Sequence, residues 1–139
     1  MTTSPATNER TERIVRWAIL LLLRAAGLAL FGLGLFYWIM LVGVFPESGW
    51  RFDLMPLEWR VAAAALAVLC PVAGVGLWLT ASWGSVVWLL VAALEGAMHV
   101  PLQRQFGGPG PELAFHCAGL LALGLLRIVE WHLGRTRRR

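Results

Sequence analysis

The side chains best able to do chemistry in this 139-residue chain are a few charged and polar groups set within long apolar runs. Glu95 and His99 lie four residues apart, on one helical face with Ala92 and Gly96. His116 shares a second stripe with Glu112, Gly119, Leu123, Arg127 and Glu130. Arg24 shares a third with Gly27, Phe31, Gly34 and Trp38. An ionised group surrounded by hydrocarbon is unfavourable unless it finds a partner, so these positions carry whatever functional signal the chain contains.

Three chemistries fit those residue types. Glu95 is a structural anchor if it pairs with Arg24 or Arg127, or accepts a hydrogen bond from His99; a carboxylate in lipid must pair or be neutralised. Alternatively, Glu95, His99 and His116 relay protons or line a path for a small solute. The same trio, with Cys117, is also an acceptable ligand set for zinc or a similar ion. The E-x-x-x-H spacing is not specific to metal sites, so the anchor is the first expectation, and neither a metal nor a cofactor is assigned.

A rise of about 1.5 Å per residue puts His99 and His116 at one level, with Glu95 about one turn deeper. Arg24 and Arg127 fall roughly 8–10 Å inside the opposite edge on the same basis, where an arginine stem reaches toward Glu95. Arg24 has a simpler reading, its side chain extending to the headgroups beside Arg13. Arg127 and Glu130 have one too, as an i, i+3 pair at the interface.

Four apolar runs must position these groups: residues 17–45, 59–79, 83–100 and 113–131. Each supplies close to the 20 or so residues that a helix needs to cross about 30 Å of hydrocarbon. The first is overlong, so it must tilt or cross only in part. Pro46 and Pro101 follow the first and third runs, and Gly107-Gly108-Pro109-Gly110-Pro111 precedes the fourth. The runs lack the polar stripes of soluble helices and the alternation of barrel strands. Composition agrees: the chain is 58% hydrophobic and 14% charged, with a mean hydropathy of +0.67. Soluble domains average roughly 45–50% and 25%. A disordered chain, a coiled coil and an ordinary soluble enzyme are excluded.

The formal net charge is +4, and every basic residue is arginine. Arginines gather in a polar segment, 1–16, and a basic tail, 132–139, which flank a transmembrane domain over 17–131. That distribution predicts both termini in the cytoplasm and contact with anionic headgroups, rather than nucleic-acid binding. The polar lead carries acids as well as bases and does not read as a signal peptide, so the first run is expected to remain as a span. Trp17, Tyr37, Trp38, Trp50, Trp59, Trp78, Trp83 and Trp131 lie near run ends, as interfacial belts require, whereas Trp88 does not.

Packing in lipid relies on small residues. Ala25 and Ala29, Ala63 and Ala67, Ala92 and Gly96, and Ala114, Ala118 and Ala122 recur at four-residue spacing, and Gly27, Gly32 and Gly34 join them. Cys70-Pro71 predicts a kink in the second helix. Cys70 and Cys117 both lie in apolar runs and do not form a secreted disulfide framework. Residues 50–60, WRFDLMPLEWR, suit a segment lying on the outer leaflet, with Asp53 capping the second helix and Pro56 in its first turn. No phosphate-binding loop, nucleophile elbow, H-E-x-x-H, C-x-x-C or internal repeat is found.

The phrases LFYWIMLVGV (35–44), WRFDLMPLEWRVAAAALAVLCPVAGVGLWLTASWG (50–84) and EGAMH (95–99) resemble a family of short bacterial inner-membrane proteins known as a domain of unknown function. The resemblance runs from about Arg13 to Trp131 and is most specific in the WRFDLMP block. It implies a four-span bacterial membrane protein and brings no activity, substrate or site residue. The layout is also similar to the DoxX-like group, in architecture alone. The expectation is therefore an all-α integral membrane protein, an antiparallel four-helix bundle with both termini cytoplasmic. It would be a non-enzymatic accessory subunit in the bilayer of the bacterial inner membrane, in a homo-oligomer or a larger complex. The rival is a transporter-like or redox-linked protein built on Glu95, His99 and His116.

Overall fold

Helix-forming apolar runs become four helices: α1 (Pro5–Val42), α2 (Leu57–Trp78), α3 (Ser82–His99) and α4 (Pro111–Thr136). The computed structural model describes residues 5–44, 56–100, 102, 104 and 110–136. The expected cap at Asp53, the outer-leaflet segment up to Met55 and most of the glycine-rich connection before α4 lie outside the described residues.

Among the described residues, three helices are long and apolar enough to cross a membrane, over Glu9–Val42, Leu57–Trp78 and Pro111–Arg135. The expectation of four spans is thus matched by three. The exception is α3, whose 18 residues include Ser82, Ser85, Glu95 and His99. At 1.5 Å per residue its length is about 27 Å, slightly less than a typical hydrocarbon core.

The outer helices are longer than the apolar pattern predicts. α1 starts at Pro5, a residue suited to a first helical position, so most of the polar lead is helical. α4 runs on to Thr136. Hydropathy marks where a helix leaves lipid, not where it stops. Beyond that point the two helices remain neighbours, with Arg16 Nε 3.8 Å from Glu130 Oε1. At its other end α1 stops at Val42, three residues before the apolar run does. There Gly43 adopts φ 74°, with Gly43 N–H bonded to the Met40 carbonyl and Val44 N–H to that of Ile39. This left-handed cap ends a helix in mid-sequence.

Each helix packs against two others: α1 on α2 and α4, and α3 on α2 and α4. The α1–α2 seam is the most extensive and the α3–α4 seam the least. Along α1–α2, Gly27 faces Gly74 and Gly34 faces the Pro71 ring. A Cβ on Gly27 would stand 2.8 Å from the Gly74 carbonyl oxygen, so the two backbones meet where no side chain fits. Pro71 lies within a continuous helix. Between α2 and α3 the turn repeats the cap of α1, with Thr80 N–H on the Leu77 carbonyl and Ala81 N–H on that of Gly76. Here the left-handed position, φ 54°, is held by Thr80. Pro56 stands just before the first residue of α2, not inside its first turn.

The core is formed by Leu30, Leu66, Cys70, Ala73, Leu77, Trp88 and Val91, all essentially inaccessible. Of the small-residue pairs, Ala63 and Ala67 are buried, whereas Ala25, Ala29, Ala114 and Ala118 face outward. Gly27, Phe31 and Gly34 of α1 meet α2, on a different face from the Ala25–Ala29 pair.

Candidate functional site

Two polar side chains are fully buried among the described residues, Glu95 on α3 and His116 on α4. Both are held by helical periodicity. The inward face of α3 carries Gly84, Trp88, Val91, Glu95 and Met98. Trp88 and Glu95 are therefore two turns apart on one stripe. His116 lies on the face of α4 that continues through Gly119 and Leu123.

Trp88 joins the two helices. Its indole Nε1–H donates to His116 Nδ1 at 2.9 Å, with both groups buried. An indole nitrogen donates and never accepts, so Nδ1 must be unprotonated and the imidazole neutral with its hydrogen on Nε2. Nε2 is 3.0 Å from Glu95 Oε2. That approach lies outside hydrogen-bond geometry, so Nε2 and both Glu95 oxygens have no hydrogen-bond partner in this arrangement. The order is therefore Trp88, His116, Glu95. Phe115 closes the group, its ring 5.2 Å from the His116 ring and 6.2 Å from that of Trp88.

Gly119 makes room for this network. A Cβ there would lie 2.7 Å from Trp88 Cη2, so glycine lets the indole approach α4 this closely. Deeper along the seam, Gly96 faces Leu113.

The other sequence candidates are placed elsewhere. The His99 ring bonds the backbone carbonyl of Glu95, Nδ1 to O at 3.0 Å, and not its carboxylate. The expected His99–Glu95 side-chain pair does not form, because a ring four residues on meets the carbonyl of the preceding turn. Arg24 is exposed, with its guanidinium carbon 5.5 Å from the centre of the Trp78 ring. Arg127 pairs with Glu130 at 3.0 Å on the outside of α4. It also lines a cavity of about 150 Å³ with Ser82 and Ser85, at the start of α3. Glu95 is ten residues beyond Ser85, about 15 Å along the axis, which an arginine stem does not bridge. The expected pairing of Glu95 with Arg24 or Arg127 is thus replaced by His116. Cys117 is exposed, and among the described residues no three of His, Cys, Asp and Glu gather at metal-holding distance.

Trp88 is the residue that sequence reasoning passed over. Its signal was its position, a tryptophan in the middle of a run where belt residues do not belong.

Residues 17–133 match the model of a family of unknown function, DUF6163, and the chain belongs to that family. No curated protein and no solved structure matches it.

Proposed function

We propose that this chain is a small multi-pass protein of the bacterial inner membrane, a non-enzymatic accessory or interaction subunit folded as an antiparallel four-helix bundle with cytoplasmic termini. In this reading the Trp88–His116–Glu95 network is a polar latch across the α3–α4 seam. The observation that carries it is the complete burial of all three side chains, which leaves no face for a substrate. Lipid supplies no hydrophobic drive between helices, so a buried polar contact is what keeps the least extensive seam closed. The outward surface supports a role in assembly. Leu121, Leu125, Ile128 and Trp131 are more than half exposed along α4, next to the small residues Ala114 and Ala118. Such a face offers a second copy or another membrane subunit a close approach.

A rival reading, proton or ion handling, draws on the carboxylate oxygens of Glu95 that lack a hydrogen-bond partner. Two substitutions separate the readings. Glu95→Gln keeps a polar side chain of the same size beside His116 Nε2 and removes the ionisable group. Under the latch reading it retains the detergent melting temperature and co-purifying partners. Glu95→Ala removes the carboxyl group 3.0 Å from His116 Nε2 and leaves a cavity beside a buried polar nitrogen, which lowers stability by about 1–3 kcal/mol. A Glu95→Gln protein that keeps its fold and partners but loses a proton-dependent flux in reconstituted vesicles would reverse the assignment.

A further inference from the structure

Beyond the latch, the structure carries a second feature on the opposite side of the molecule. An apolar cleft of about 220 Å³ opens on the outer surface between α1 and α2. Gly27 and Gly74 form its floor, where the two backbones touch. Leu28, Phe31, Val75 and Trp78 form its walls. All of these lie within stretches apolar enough to cross a membrane, so the cleft faces acyl chains.

One charge stands at its rim. Arg24 is one helical turn before Leu28, and its guanidinium lies over the ring of Trp78, a wall residue. No carboxylate among the described residues pairs with it. A cation–π contact takes up no N–H donor in a hydrogen bond, so the guanidinium keeps the fork geometry that suits phosphate oxygens. The cation is also near the end of α2, where a headgroup would sit, while the cleft runs from it toward the bundle's middle.

We infer that this cleft holds an anionic phospholipid, one acyl chain lying between α1 and α2 and the phosphate on Arg24. A cation beside an apolar slot is complementary to such a lipid in both charge and polarity order. The inference depends on the membrane reading of the chain, but on neither the latch nor the orientation. General attraction of acidic lipid to the arginine-rich ends would be diffuse and screened by salt. Occupancy of the cleft is one lipid per chain and persists at high salt.

The test uses the full chain extracted in mild detergent, with phosphatidylglycerol, phosphatidylcholine or soluble glycerol phosphate added at equal concentration. Native mass spectrometry should show one retained phosphatidylglycerol per chain. The same lipid should raise the melting temperature by about 3–5 °C more than phosphatidylcholine does. Arg24→Gln, at an exposed position, should abolish that preference. Leu28→Trp, which fills the slot, should remove the retained lipid of either kind. Arg10→Gln with Arg13→Gln should leave the one-lipid adduct in place. Equal effects of the two phospholipids, persistence of the preference in Arg24→Gln, or a full effect from glycerol phosphate alone would each overturn the proposal. Recovery of the chain in a salt-washed aqueous fraction would instead remove the membrane reading beneath it.

Discussion

At the scale of single residues, the chemistry of the site follows from one donor. Because Trp88 can only donate, it fixes the tautomer of His116 and keeps the imidazole neutral beside Glu95. Trp88→Phe removes the donor and leaves Nδ1 buried without a partner. It should lower stability by about 2–4 kcal/mol, from the lost bond together with the lost ring volume. Thermal melts in one detergent measure the loss, and nitrogen NMR of the His116 ring checks the bond itself: the unaltered protein should carry its ring hydrogen on Nε2, and a hydrogen on Nδ1 would mean that the indole does not donate to it. Sequence alone identified Glu95 and His116 as the groups to watch, because an ionisable residue in an apolar run is conspicuous. It could not say which partner each would find. Arg24, Arg127, His99 and His116 were all within nominal reach of Glu95, and the choice among them depends on how the helices rotate about their axes. Rotation is set by contacts such as Gly119 against Trp88, which leave no mark on periodicity.

At the scale of the helices, glycines divide into those that join elements and those that do not. Gly119 and Gly32 look alike in the sequence, since each is a glycine within an apolar helix. A Cβ on Gly119 meets the Trp88 ring, while one on Gly32 meets nothing within 4 Å. Gly119→Ala should therefore displace the indole and destabilise the chain by about 1–3 kcal/mol, as overpacking does. Gly32→Ala should be neutral or stabilising by up to about 1 kcal/mol, through the better helix propensity of alanine. Thermal melts of the two variants in one detergent decide the matter, and the reverse order would show that α3 and α4 do not meet through this face. Element positions were mostly legible: the apolar runs locate all four helices, with α2 and α3 matched to within two residues at each end. The long ends of α1 and α4 were not. Polar helix and polar loop have similar compositions, and what decides between them is a neighbour such as the Arg16–Glu130 pair. The weaker apolar character of α3 has a physical origin in the same packing. It contributes Trp88 and Glu95 to a protein interior and so does not need to be apolar on every side.

At the scale of the whole molecule, the pairs across the α1–α2 and α3–α4 seams run in opposite residue order. Gly27 meets Gly74 while Gly34 meets Pro71, and Trp88 meets Gly119 while Gly96 meets Leu113. The α2–α3 turn should then lie on the same side of the bilayer as the two chain ends, and the start of α4 on the other. In the proposed orientation that side is the cytoplasmic one, since translocating arginine-rich segments is disfavoured. α3 makes this claim testable, since a helix of 18 residues that failed to cross would leave Thr80 and Glu112 on one side. Both positions are exposed and near helix ends, so each tolerates a reporter thiol. Cys70 is fully buried; Cys117 is exposed but lies within the apolar stretch of α4, so replacing it with Ala gives a clean background. In that background, Glu112→Cys should react with a membrane-impermeant maleimide in intact spheroplasts, and Thr80→Cys only after lysis. The opposite pattern would invert the orientation and keep the bundle. Equal reactivity of both in intact cells would show that α3 does not cross, leaving three spans and placing the chain ends on opposite sides.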